Sequence, residues 1–89
     1  MIKYTFILKD KNGLHARPAG KLCALCKSLD SEIRVKTPTK EADGKRLLSL
    51  MSLGARHGTE IVIEIEGGDE EKSERAIIKH VKEELNAEI

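Results

Sequence analysis

The chain is expected to fold as a two-layer α+β sandwich with elements in the order β-α-β-β-α-β-α. Alternating apolar residues mark strands, apolar residues at helical spacing mark helices, and no repeat, linker or low-complexity tract separates them. Residues 2–8 place Ile2, Tyr4, Phe6 and Leu8 on one side of a half-buried strand, which Asn12-Gly13 breaks. A helix follows from Ala16 to about Leu29, with apolar residues at 19, 22, 23, 26 and 29 and Pro18 in its first turn. Residues 32–37 and 40–43 form a weak hairpin around Pro38-Thr39. The strongly apolar run 46–53 reads as a brief helix capped by Gly54. Residues 60–66 alternate again, with Ile61, Ile63 and Ile65 facing one way. Asp69 is the N-cap of the last helix, Glu70, Glu71 and Glu74 suit its positive end, and Ile77, Ile78, Val81 and Leu85 form its apolar stripe.

Composition narrows the function classes. Eighty-nine residues make one domain, spanning 1–89, with a modest core. Aromatic residues are 2% of the chain, only Tyr4 and Phe6, which argues against nucleic-acid binding by base stacking. Apolar runs are too short for membrane insertion. Two cysteines are too few for a disulfide framework, and MIKYTFILKD lacks the features of a signal peptide, so a cytoplasmic location is expected.

The net charge of +1 hides a division. Residues 1–59 hold twelve Lys/Arg against five Asp/Glu, whereas residues 60–89 hold four against ten. The two segments are either solvated surfaces or a basic face that docks an acidic partner and an acidic segment carried away from it.

The stretch Gly13-Leu14-His15-Ala16-Arg17-Pro18-Ala19 puts a histidine at the mouth of a helix. The first N–H groups there have no intrahelical partner and sit at the positive end of the dipole, so a phosphoryl group on the imidazole would meet the N–H groups of Ala16 and Arg17. The Arg17 guanidinium can pair with phosphoryl oxygens. Imidazole is a competent nucleophile near neutral pH, and a backbone group could hold its other nitrogen. The same residues are also compatible with an ordinary polar helix start.

GLHARPAGKL, together with MSLGA and the order of elements, resembles HPr, the histidine-containing phosphocarrier family of the sugar phosphotransferase system, over essentially the whole chain. The resemblance implies an open-faced β-sandwich, a four-stranded antiparallel sheet covered on one side by three helices. It implies that His15 is phosphorylated on Nδ1 by enzyme I, charged by phosphoenolpyruvate, and that IIA components of the permeases accept the group. Arg17 would stabilise the phosphoryl group. Such a protein is an intermediate carrier rather than a free-standing enzyme, and a monomer without cofactor or metal. Leu47 and Leu48 match the family's apolar docking patch, rimmed here by Arg17, Lys21, Lys27, Lys45 and Arg46. One of the two leucines is expected to pack inward and the other to dock. In many Gram-positive members a serine just before this pair is phosphorylated by an ATP-dependent kinase. Arg46 stands there, so the regulatory serine is expected to be absent, with Ser49 and Ser52 structural. An alternative is an HPr-like regulatory module, a nitrogen-branch carrier or interaction protein whose phosphorylation state tunes other proteins.

Cys23 and Cys26 form a C-x-x-C inside the first helix. A redox pair wants its first cysteine at a helix N-terminus, so these two are expected to pack as small hydrophobes. His57 and His80 lack ligand spacing and are expected in a loop and on the surface.

Overall fold

A computed structural model describes residues 1–85 and contains β1 (Ile2–Ile7), α1 (Ala16–Lys27), β2 (Glu32–Lys36), β3 (Glu41–Asp43), α2 (Leu47–Met51), β4 (Glu60–Glu66) and α3 (Glu70–Glu84). The strands form one sheet in the order β1-β4-β2-β3, with every neighbouring pair antiparallel. Strand β4 sits inside the sheet, where Ile63 lies opposite Tyr4 of β1 and Val35 of β2.

Side-chain alternation decides which face is covered. Tyr4, Phe6, Ile33, Val35, Ala42, Ile61, Ile63 and Ile65 are buried, as are Ala19, Leu22, Cys23 and Cys26 of α1 and Ile77 and Val81 of α3. The helices lie on that face and shut it from water, the dominant stabilising term. The other face stays open and charged. Glu64 meets Lys3 at 3.6 Å and Lys36 at 3.2 Å, and Glu41 meets Lys36 at 3.6 Å and Arg34 at 3.4 Å. Glu64 of β4 and Glu41 of β3 are thus partly neutralised within the sheet.

The structure refines the sequence reading at α2 and α3. Helix α2 ends at Met51 with Ser52 as C-cap, so Gly54 lies two residues beyond, at φ +66°. Its carbonyls are satisfied by the Ser52 N–H, which donates to Leu48, and by the Ser52 hydroxyl, which donates to Ser49 at 2.8 Å. The stripe of α3 also includes buried Ser73, whose Oγ shares a 2.7 Å hydrogen bond with Oγ of Ser31. Ser31 Oγ lies 2.7 Å from the Gly67 carbonyl as well, so both hydroxyls are tied to the turn before α3.

Candidate phosphoryl-acceptor site

His15 is the N-cap of α1, in extended conformation, and its side chain makes no capping hydrogen bond. The imidazole is therefore free for chemistry and 43% exposed. The first intrahelical bond runs from the Ala19 N–H to the His15 carbonyl at 2.9 Å. Pro18 has no N–H, so Ala16 and Arg17 supply the donors of the first turn beside the imidazole.

The preceding turn is fixed from two sides. The Gly13 N–H donates to Asp10 at 3.0 Å, and the Leu14 N–H donates to Ala55 at 3.0 Å while the Leu14 side chain is buried. Gly13 is at φ +70°, and a Cβ there would strike the Ala55 carbonyl and lie 2.9 Å from Cα of Arg56. Only glycine fits both the backbone and this approach. Asp10 Oδ1 lies 3.9 Å from Nε2, beyond hydrogen-bond range, and accepts from the Asn12 N–H at 2.9 Å. Nδ1 is the other nitrogen.

Asp10, Asn12, His15, Arg17, Pro18, Lys21 and Glu84 line a shallow cleft of about 360 Å³. Lys21 donates to Glu84 at 3.0 Å, tying α1 to α3. That bond and the charge of Lys21, with smaller help from His80 and Arg17, hold the Glu84 carboxyl below the usual range. The expectation that the acidic last helix lies away from the site therefore fails at Glu84.

On α2, both Leu47 (40% exposed) and Leu48 (80%) face solvent, joined by Met51 (40%), while Leu50 is fully buried. The expected division of the leucine pair is therefore wrong. On this single-turn helix Leu50 takes the inward direction, and Leu47 and Met51, four residues apart, share an outward face with Leu48. Of the basic residues, Lys27, the last residue of α1, and Arg46, just before α2, are exposed. Lys45 is half-buried, its amine donating to the Leu29 carbonyl at 3.1 Å. Arg46 is the N-cap of α2 without a side-chain cap, 3.9 Å from Asp43.

Cys23 and Cys26 are buried, and burial, then the neighbouring Cys23, pushes the Cys26 thiol up to about 12. His57 is exposed. His80 is half-buried rather than on the surface, and burial lowers its pKa; its Nε2 is buried without a hydrogen-bond partner among the described residues. Sequence reasoning missed Asp10, Met51 and Glu84. The i, i+4 spacing from Leu47 could have found Met51. Nothing local could have found Glu84, which is 63 residues from Lys21.

The profile of the PTS-HPr family, described as the PTS HPr component phosphorylation site, matches residues 2–83. The chain belongs to the HPr family. It is 40% identical over 78 residues to phosphocarrier protein HPr of Mycoplasma genitalium, covering 86% of this chain and 89% of that protein. Among solved structures, HPr-C-His of Thermoanaerobacter tengcongensis superposes with a TM-score of 0.88 at 31% identity, covering 100% of both chains. A histidine-containing phosphocarrier protein of Mycoplasma superposes with a TM-score of 0.86 at 32% identity, covering 90% of this chain and 91% of that one. The family's open-faced sheet, helices on one side, is the architecture of this chain. Among the described residues no helix is long and apolar enough to cross a membrane.

Proposed function

We propose that this HPr phosphocarrier accepts a phosphoryl group on Nδ1 of His15 from phospho-enzyme I and passes it to IIA components of the phosphotransferase system. It would work as a cytoplasmic monomer. The observation that supports this best is an exposed imidazole with no capping duty at a helix N-terminus, beside Arg17. A bond from Nδ1 to phosphorus would form as the donor's bond to phosphorus breaks; a nucleophile on the IIA component would then bond to phosphorus as the Nδ1–P bond breaks, which regenerates free imidazole. The N–H groups of Ala16 and Arg17 and the Arg17 guanidinium would share the negative charge of the phosphoryl oxygens. A helix terminus contributes on the order of 0.3–2 kcal/mol, enough to favour the phosphorylated form without trapping it. In-line placement by the partner would supply most of the acceleration.

Leu47, Leu48 and Met51 would seat the partner, with Lys27 and Arg46 as exposed cations of the rim. Lys21 and Lys45, whose amines are engaged by Glu84 and Leu29, would act there through their field. Arg46 carries no hydroxyl, so the ATP-dependent serine kinase would leave this chain unmodified. Acid-stable phosphoserine at Ser49 or Ser52 after incubation with that kinase would contradict this.

The main test is incubation with phosphoenolpyruvate and enzyme I, then intact mass at alkaline pH. One added phosphoryl group on the native chain and none on His15→Ala is expected. An unchanged native mass, or a modified His15→Ala variant, would overturn the reading.

A further inference from the structure

Two carboxylates line the cleft at His15, and the fold holds them differently. Glu84 accepts from Lys21 at 3.0 Å and so already faces a cation. Asp10 has no lysine or arginine within ion-pair distance among the described residues, although Lys9 and Lys11 are its chain neighbours. The one ionisable group in ion-pair reach of it among those residues is the His15 ring, with Oδ1 3.9 Å from Nε2.

The Asp10 side chain is fixed by its own turn. Oδ1 accepts from the Asn12 N–H at 2.9 Å, and the Asp10 carbonyl accepts from the Gly13 N–H at 3.0 Å. The chain then passes Leu14, whose N–H is bonded to Ala55, and reaches His15. The carboxylate is thus set against the ring by the turn that delivers the histidine. Asparagine or serine would close such a turn as well, so the turn does not call for the charge.

The imidazole does have a use for it. A neutral ring with its proton on Nε2 keeps a lone pair on Nδ1 for phosphorus. As the Nδ1–P bond forms, the ring becomes an imidazolium with phosphorus on Nδ1 and the proton on Nε2. As that bond breaks in the onward step, the bonding pair returns to Nδ1 and the ring is neutral again. A carboxylate beside Nε2 favours the proton there at both stages. At 3.9 Å its field acts without a hydrogen bond, and a movement of about 1 Å in a ring that is 43% exposed would make one.

We propose that Asp10 is a positioning residue for phosphoryl transfer: its carboxylate holds the proton on Nε2 of His15, which leaves Nδ1 as the nucleophile and keeps the phosphorylated ring in the form that releases the group. Asp10 acts through the imidazole, whereas Arg17 and the helix N-terminus serve the phosphoryl oxygens. The other charged or titratable groups beside the ring are Arg17, Lys21 and Glu84 of the cleft, with Arg56 and His57 on the chain packed behind Gly13. The cations among them oppose a charged ring and Glu84 is spent on Lys21, so Asp10 is the carboxylate that offsets them. The proposal rests on the carrier reading, and its test includes a readout independent of transfer.

That readout is the 15N spectrum of the unphosphorylated chain at pH 9, which reports the tautomer of His15. The Nε2–H form is expected to dominate in the native chain and to lose share in Asp10→Asn, which keeps an acceptor for the Asn12 N–H. The second readout is loading by enzyme I and phosphoenolpyruvate, then loss of the group from the isolated phosphorylated chain across pH 5 to 10, followed by intact mass. In Asp10→Asn the midpoint of that profile is expected to fall by about 0.5–1 pH unit, so that loss on the alkaline side slows about three- to tenfold. Asp10→Glu is expected to restore part of both effects, and Asp10→Ser repeats the test with a second acceptor if the asparagine variant does not fold. Glu71→Gln removes an exposed carboxylate of α3 and is expected to be native in both readouts. A native tautomer ratio or a native profile in Asp10→Asn would overturn the proposal, as would equal changes in Glu71→Gln. A tautomer change in Asp10→Asn, when enzyme I leaves the native chain unphosphorylated, would sink the carrier reading and leave the hold of Asp10 on Nε2 standing.

Discussion

Arg17 is exposed and makes no ion pair among the described residues, so on the proposed function its charge is left for the phosphoryl group. Arg17→Gln is expected to slow phosphoryl transfer by roughly a hundredfold, with Arg17→Lys in between, read by rapid-quench transfer from phospho-enzyme I. Native rates in the glutamine variant would remove the guanidinium from the site. Gly13 acts through the backbone: alanine there meets both a left-handed φ and the Ala55 carbonyl. Gly13→Ala is expected to cost about 2–4 kcal/mol in urea unfolding. Cys26 is buried with its thiol near 12, so both cysteines are expected to resist alkylation at pH 8 until urea is added.

Helix α2 shows how one turn divides its residues between core and surface. Leu50→Ala is expected to lose about 2–5 kcal/mol of stability by leaving a cavity, while Leu48→Ala loses almost none and weakens partner binding instead. Equal destabilisation by the two would mean that Leu48 packs. The N-cap of this helix is Arg46, which supplies no acceptor to the free N–H groups. Arg46→Ser is expected to raise stability by about 0.5–1.5 kcal/mol in thermal or urea unfolding, because a serine hydroxyl can cap the first turn. The exposed 3.9 Å contact to Asp43 that is lost contributes little against this gain.

Across the whole molecule the shifted groups give stability a plateau with two shoulders. His80 is lowered by burial, so its contribution is complete above 6.5, the unfolded value, and is lost as pH falls through the folded value. Glu64, held low by Lys36, Glu70, held low by the Gly67 N–H, and Glu84, held low by Lys21, act the same way below 4.5. On the alkaline side Cys26 and Tyr4 are raised by burial. Their contribution is present below the unfolded value and lost above it, at up to about 1.4 kcal/mol per pH unit for Cys26 between 9.0 and about 12. Urea midpoints are expected to be highest between about pH 7 and 8. In His80→Gln the decline between pH 6.5 and 5 is expected to shrink, and a native slope there would remove His80 as its source.

The sequence by itself determined the order of elements, the buried faces of β1, α1 and β4, the cap at Asp69 and the place of His15 and Arg17 at the start of α1. Each depends on period, cap or motif within a few residues, and local patterns survive in one dimension. Tertiary structure alone decided that Glu84 closes on Lys21, that Lys45 turns to Leu29, and that backbone hydrogen bonds tie the chain at 8–14 to the chain at 55–59. It also decided that Leu50 rather than Leu47 or Leu48 enters the core, because one helical turn has too little periodicity to reveal its direction. Whether a charge is spent on a neighbour or left for a partner depends on contacts between residues far apart in sequence.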